Sequence, residues 1–179
     1  MHCTTAAAMP TYYLKPGEIH FATEPARVIT ILGSCVSLVM YHRPRRLGAI
    51  CHAMMPSLLE VRKEIEPGRR FQYVDGCMEW MLARFAQYHI TPQSLEIKLF
   101  GGAGLFPDRR GGEQCMAVGE RNIDMALKLI DAHDLRLKAW DVGGDKGRKL
   151  IFCTSTGEVL TKFVARTQVP DQPFSEGLR

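Results

Sequence analysis

The segment from Ile31 to His52 contains two cysteines and two histidines, the side chain types that most often act as nucleophile, base or metal ligand. They are Cys35, His42, Cys51 and His52. Three uses are open for them: a catalytic thiol–imidazole pair, a metal site, or an ordinary core with small buried cysteines and a hydrogen-bonded histidine.

The flanking residues predict a β-hairpin that carries these side chains. Residues 35–41 and 47–54 are apolar and rich in strand formers, and the polar, proline-containing residues 42–46 between them are typical of a turn. Counting back from this turn brings Cys35 and His52 to nearly opposite places on strands about 5 Å apart. A contact between thiol and imidazole is therefore expected, and the imidazole would take the thiol proton.

Strand alternation separates the remaining candidates. Cys51 and His52 are neighbours in the chain, so their side chains point to opposite faces of the strand. Such scattering disfavours a metal site, and His42 lies in the polar turn. Spacing alone leaves two alternatives, a Cys35–His52 catalytic pair or two core cysteines with one hydrogen-bonded histidine.

The bend before Cys35 adds a further chemical element. Gly33 and Ser34 separate a strand at residues 28–32 from the strand that starts at Cys35. A sulfur at such a bend would lie at the end of a sheet beside exposed backbone N–H groups, which can stabilise an oxyanion.

The other elements predict an α+β fold, a layered α/β sandwich of mixed, largely antiparallel sheets packed with two main helices. Helical spacing of apolar residues covers residues 70–89 and 119–133, and further strands are expected at residues 95–100, 135–142, 149–154 and 158–164. Residues 12–166 are interpreted as a single domain, with flexible termini at residues 1–11 and 167–179.

Composition excludes several classes of protein. The net charge of +4 is mild and the basic residues form no concentrated stripe, so no nucleic-acid partner is predicted. No apolar run approaches the roughly 20 residues of a membrane span, and the first residues are not typical of a signal peptide. We therefore expect a cytoplasmic protein without membrane insertion, in which the six cysteines are reduced.

Five sequence blocks, in order, resemble the CheD family of chemoreceptor glutamine deamidases. The first runs from Leu32-Gly33-Ser34-Cys35-Val36 through Gly48 and His52 to Met55-Pro56. The others are residues 98–103 (KLFGGA), residues 119–122 (GERN), residues 141–144 (DVGG) and residues 147–149 (GRK). In this order they span the chain roughly from Val28 to Val164, which is most of its length.

The resemblance implies an α/β sandwich whose catalytic residues are a cysteine, a histidine and a threonine. The family cysteine falls on Cys35 and the histidine on His52. The family threonine lies six residues before the cysteine, which is Ile29 here, so the neighbouring Thr30 is predicted as the third catalytic residue. The alternative for Thr30 is a strand residue with a satisfied hydroxyl.

The activity implied by the resemblance is hydrolysis of glutamine side chains on methyl-accepting chemoreceptors, through a cysteine thioester and without metal or organic cofactor. The expected partners are the cytoplasmic helices of these receptors and a CheC-type phosphatase. Two other functions stay open: a non-catalytic adaptor that binds the same partners, and a different cysteine hydrolase or transferase that shares the Cys–His pair.

Overall fold

The computed structural model describes residues 9–60, 65–104 and 117–164. The strands of this part of the chain are β1 (Thr11–Tyr13), β2 (Ile19–Ala22), β3 (Arg27–Leu32), β4 (Val36–His42), β5 (Leu47–Cys51), β6 (Glu96–Gly101), β7 (Arg136–Val142), β8 (Arg148–Cys153) and β9 (Val159–Phe163). The α-helices are α1 (Val74–Ala86) and α2 (Val118–Ala132).

The strands form two sheets, which confirms the predicted α+β class. One sheet has the order β1-β3-β8-β9 and the other the order β2-β5-β4-β6-β7. Most neighbours are antiparallel, while β1 pairs with β3 and β6 with β7 in parallel. The parallel pair β6–β7 is joined through α2, as a crossover connection requires.

Two apolar cores divide the molecule into three layers. The core between the helices and the five-stranded sheet includes Leu38, Met40, Met78 and Met81. The core between the two sheets includes Val28, Leu32, Val39, Ile50 and Phe152. Strand β4 contributes alternate residues to both cores and is therefore buried on both faces.

The chain passes from one sheet to the other immediately before Cys35. Strand β3 belongs to the four-stranded sheet and β4 to the five-stranded sheet, so residues 33–35 form the crossing. This crossing lies at the rim of the space between the sheets. It brings the inward face of β3 close to the inward face of the β4–β5 hairpin.

The expected elements are present, with changes at their ends. The predicted hairpin of residues 35–54 is confirmed by the antiparallel pairing of β4 with β5. The first helix begins at Val74 rather than residue 70, because Pro67–Gln72 forms a 3-10 helix. The short strands β1 and β2 were not predicted, since strands of three and four residues carry little periodicity.

The expected chain ends are only partly covered. Strand β1 starts at Thr11, beside the predicted domain boundary at residue 12. The rest of the two predicted flexible termini, residues 1–8 and 167–179, lies outside the described residues. Within the described ranges, no helix has the length and apolarity needed to cross a bilayer.

Candidate functional site

The two cysteines and two histidines of the hairpin separate into different environments. Cys51 is completely buried in the core under the helices, where its sulfur accepts a hydrogen bond from the Leu38 backbone at 3.4 Å. His42 lies at the turn end of β4, about 20 Å along the strand from Cys35. Cys35 and His52 lie at the opposite end of the hairpin and face the space between the sheets.

Backbone pairing places Cys35 and His52 on the same face of the sheet. Val36 and Ala53 form a directly opposed pair, each donating its N–H to the other's carbonyl at 2.9 Å. Cys35 precedes Val36 and His52 precedes Ala53, so in antiparallel strands the two residues are diagonal neighbours on the same face. Diagonal neighbours lie about 7–8 Å apart between Cα atoms, within reach of an imidazole ring.

Thr30 contacts His52 from the other sheet. Its hydroxyl lies 2.8 Å from Nδ1 of His52 and also donates a hydrogen bond to the Leu14 carbonyl at 2.9 Å. Thr30 and His52 are both buried, with 3 % of their surface exposed. This contact exists only because the two sheets pack face to face.

The hydrogen bonds of Thr30 define the proton position on His52. A hydroxyl has one hydrogen, and that of Thr30 is directed to the Leu14 carbonyl, which can only accept. Thr30 is then an acceptor towards His52, so Nδ1 of the neutral ring carries the hydrogen. We infer that Nε2 has the free lone pair, which makes it the nitrogen able to accept a proton from a thiol.

Burial favours the uncharged forms of both predicted catalytic groups. Desolvation raises the pKa of the half-buried Cys35 thiol, although the backbone N–H of Cys35 acts in the opposite direction. Desolvation also lowers the pKa of His52, opposed by the Leu14 carbonyl and the Glu18 carboxylate. The resting site at neutral pH therefore contains a thiol and an imidazole rather than a thiolate–imidazolium pair.

Residues 33–35 form the loop that carries Cys35, and each of their three carbonyls accepts a hydrogen bond. The carbonyl of Gly33 accepts from the Ala103 N–H at 2.8 Å, and that of Cys35 accepts from the Gly102 N–H at 2.8 Å. The carbonyl of Ser34, between them, accepts from the side-chain amide of Asn122 at 3.0 Å. All three acceptors of the crossing are thus satisfied from within the protein.

Two consecutive glycines make this close approach possible. Gly101 and Gly102 have φ angles of 104° and 68°. A Cβ atom on Gly101 would meet the Cys35 carbonyl oxygen at 2.2 Å, and one on Gly102 would meet the Ile123 side chain at 2.5 Å. The KLFGGA block therefore does more than form a turn, because its two glycines allow the close contact that fixes the backbone of Cys35.

Arg148 supports the same region from the four-stranded sheet. Its guanidinium is almost fully buried and donates to the carbonyls of Gly101, Asp141 and Gly143 at 2.7, 2.6 and 2.6 Å. These bonds join the ends of β6 and β7 to β8. The GRK and DVGG blocks of the sequence are thereby connected in space.

The structure thus brings three sequence-predicted residues together and leaves two aside. Thr30 is hydrogen-bonded to His52 at the rim between the sheets and Cys35 lies on the same face as His52, whereas Cys51 and His42 lie elsewhere. Ile29 points to the outer face of its sheet, since it alternates with Thr30 and pairs with Ile151. Among the described residues, no group of three His, Cys, Asp or Glu side chains is arranged to hold a metal ion.

Sequence reasoning missed the roles of Leu14 and Asn122. Leu14 contributes only its backbone carbonyl, which no side-chain pattern reveals. Asn122 stands in the quoted GERN block and is the only asparagine of the chain, but its contacts depend on how α2 packs.

A thiol beside an imidazole whose second nitrogen is held by a third group is the arrangement of cysteine hydrolases on several folds. The comparisons with known proteins narrow this class. The family model described as CheD chemotactic sensory transduction matches residues 54–163. The chain belongs to the CheD family.

Curated relatives support the same assignment over most of the chain. A protein of Geobacter sulfurreducens named probable chemoreceptor glutamine deamidase CheD 2 is 46% identical over 163 residues, which span 89% of this chain and 94% of the relative. Probable chemoreceptor glutamine deamidases CheD of Maridesulfovibrio salexigens and Pseudomonas syringae pv. tomato are 38% and 36% identical. These alignments span 84% and 83% of this chain, and 89% and 86% of the respective relatives.

Proposed function

We propose that this protein is a chemoreceptor glutamine deamidase, a protein-glutamine glutaminase that converts glutamine side chains of methyl-accepting chemoreceptors to glutamate. The observation that carries the proposal is the hydrogen bond between Thr30 and Nδ1 of His52, on the face that Cys35 shares, in a member of the CheD family. It leaves Nε2 of His52 as the base for the Cys35 thiol.

The reaction starts from the neutral pair. His52 Nε2 takes the proton of Cys35 as the sulfur attacks the carboxamide carbon of the substrate glutamine, so the charged forms arise only with the attack. The resulting imidazolium gives this proton to the leaving nitrogen, which departs as ammonia. The product of this half of the reaction is a thioester between Cys35 and the former glutamine.

Water completes the cycle. The water oxygen attacks the thioester carbon while His52 takes a proton from the water. His52 then returns this proton to the sulfur as the carbon–sulfur bond breaks, which releases Cys35 as a thiol and the product as glutamate. The oxyanion of both steps is assigned to the backbone N–H of Cys35, which acts on the Cys35 sulfur in the resting site. Neither step needs a metal or an organic cofactor.

Thr30 acts on the reaction through His52. Its hydroxyl accepts the Nδ1 hydrogen and is itself fixed by the Leu14 carbonyl. The ring is therefore prevented from turning, and the Nε2 lone pair stays directed towards the thiol. A neutral hydroxyl stabilises the imidazolium less than a carboxylate would, so the main contribution of Thr30 is orientation.

The surface beside the site suits a protein substrate. Cys35 is only half-buried, and Met54 and Met55, which follow His52, expose 36% and 42% of their surfaces. Exposed methionines adapt to varied apolar partners. We propose that the apolar side of a receptor helix rests there, in the cytoplasm, and that a CheC-type phosphatase is a further partner.

The decisive experiment is mass spectrometry of a purified receptor cytoplasmic domain incubated with the protein. Wild type is expected to convert specific glutamines to glutamates, identified from peptide fragmentation. Cys35→Ala removes the nucleophile and is expected to give no conversion. Cys51→Ala is the matched control and is expected to retain conversion, because its sulfur lies on the opposite side of the sheet.

Two results would overturn the proposal. An unmodified receptor that still binds wild-type protein would favour a non-catalytic adaptor. Conversion by Cys35→Ala, or its loss in a folded Cys51→Ala variant, would mean that the nucleophile is a different residue.

A further inference from the structure

The side-chain amide of Asn122 connects the two segments that carry Cys35 and His52. Its Nδ2 donates one hydrogen bond to the Ser34 carbonyl and one to the Met54 carbonyl, each at 3.0 Å. Ser34 directly precedes Cys35, and Met54 follows His52 by two residues. One NH₂ group therefore uses both of its hydrogens to hold two separate stretches of backbone.

The surroundings of Asn122 make this contact rigid. The residue is completely buried and lies in the second turn of α2, a helix packed against β4, β6 and β7. Gly119, three residues earlier in the same helix, lies so close to the Gly102 carbonyl that an added Cβ would come within 2.6 Å of that oxygen. The start of α2 is thus fixed to the glycine turn that binds the Cys35 carbonyl.

The position of the amide cannot be explained by helix stability alone. Asparagine is a weak helix former inside a helix, and its Oδ1 is buried without a hydrogen-bond partner among the described contacts, which is itself destabilising. These costs are offset by the two hydrogen bonds of Nδ2, which join the backbone before Cys35 to the backbone after His52.

We propose that Asn122 is a positioning residue for the deamidase reaction. It keeps the sulfur of Cys35 and the ring of His52 in register by tying the Ser34 and Met54 carbonyls to one amide. This inference rests on the proposed function for its catalytic consequence, and on the hydrogen bonds alone for its effect on the Cys35 loop.

The test uses full-length Asn122→Ala and Asn122→Ser with two readouts, receptor deamidation and alkylation of Cys35 by iodoacetamide followed on the Cys35 peptide. Asn122→Ala is expected to lower kcat at least tenfold with KM changed less than about threefold, since alignment is worth more in the transition state than in binding. Loosening the loop should expose the thiol, so alkylation of Cys35 is expected to become at least threefold faster.

Asn122→Ser retains one donor and is expected to fall between wild type and Asn122→Ala in both readouts. If Asn122→Ala does not fold, this variant alone decides the question. A kcat several-fold lower with faster alkylation supports the proposal, and a wild-type rate in both overturns it.

The matched control is Thr154→Val, which removes a comparable buried bridge at the far end of the four-stranded sheet. The Thr154 hydroxyl accepts the Ala26 N–H at 2.7 Å and bonds the Glu24 carbonyl at 3.1 Å. This variant is expected to be destabilised without a change in kcat or in Cys35 alkylation.

A general structural role for Asn122 would give a different pattern. Activity lost only in proportion to the unfolded fraction, with alkylation of Cys35 no faster than that fraction accounts for, would overturn the proposal. Wild-type protein that leaves the receptor unmodified would instead refute the proposed function. The alkylation rates would still test whether the hydrogen bonds of Asn122 hold the Cys35 loop in place.

Discussion

The two faces of the β4–β5 hairpin differ in how they use polar atoms. The face towards the helices is apolar along its whole length, and its one thiol, that of Cys51, accepts a backbone hydrogen bond. The face towards the second sheet is apolar only near the turn, where Gly48 lies so close to Phe152 that an added Cβ would be 2.7 Å from its ring. At the open end the same face carries Cys35 and His52.

This difference shows where reactive groups are tolerated in a small sandwich. The middle of either core excludes water and would leave an imidazole without partners at a high cost. At the rim between the sheets, the Thr30 hydroxyl, itself held by the Leu14 carbonyl, is a partner for the imidazole, and the half-buried sulfur of Cys35 remains accessible. Of the two adjacent residues Cys51 and His52, the first therefore packs in the core and the second is available for the reaction.

The largest difference between the two ends of the hairpin is expected when the imidazole is removed from each in turn. His52→Ala is expected to lower kcat about 10²–10⁴-fold, the usual contribution of a positioned general base. His42→Ala is the control at the turn end and should stay close to wild type. Receptor deamidation measured by mass spectrometry distinguishes them, and equal losses would contradict the division between the two ends.

Removing the contact between the sheets should have a smaller effect. Thr30→Val keeps the shape but loses the hydrogen bond to His52, worth about 1–2 kcal/mol, or roughly 5–30-fold in kcat. Thr30→Ser retains the hydroxyl and is expected to recover most of the activity. If Thr30→Val and Thr30→Ser are equally active, Thr30 only packs within the sheet and does not orient His52.

The pH dependence of the deamidation rate tests whether Cys35 and His52 are uncharged in the resting site. Because burial lowers the pKa of His52 below its ordinary 6.5 and raises that of Cys35 above its ordinary 9.0, the neutral pair persists from below pH 6.5 to beyond pH 9. The deamidation rate kcat/KM is expected to be level through neutral pH and to fall about tenfold per unit once pH drops below the lowered pKa of His52.

The same measurement can be made on the thiol directly. Alkylation of Cys35 should increase with pH beyond pH 9 in the free enzyme. A thiol that is already fully reactive at pH 6 would show a preformed thiolate–imidazolium pair and contradict the neutral resting site.

The smallest effect on activity is expected from the face under the helices. Cys51→Ala leaves a small cavity and should lower the free energy of unfolding by about 1 kcal/mol, measured by urea denaturation. Its kcat should equal that of wild type at a temperature where both are folded. A folded variant with impaired turnover would show that the two faces are more strongly coupled than their contacts suggest.

Much of the fold followed from local pattern, because its long strands and both helices carry clear periodicity. The hairpin turn at residues 42–46, the two amphipathic helices and the α+β class are examples. The start of α1 was misplaced because residues 67–72 form a 3-10 helix that leads almost directly into it. The strands β1 and β2 were missed because they are short and stabilised by pairing with β3 and β5 rather than by their own sequence.

For the candidate site, local pattern was enough to predict that Cys51 and His52 point to opposite faces, and that Cys35 and His52 share an end of one hairpin. These are consequences of strand alternation and of turn position, which are local. Motif resemblance added the choice of Cys35 and His52, and a threonine in the preceding strand.

Which residue of that strand reaches His52 depends on how the two sheets pack together. Ile29 and Thr30 are equivalent as strand residues, and the contact depends on which face of β3 packs against the second sheet. Asn122 and the Gly101–Gly102 turn likewise meet the Cys35 loop only after α2 and β6 have docked. Contacts between elements distant in the chain are set by packing of whole faces, and no short stretch of sequence contains that information.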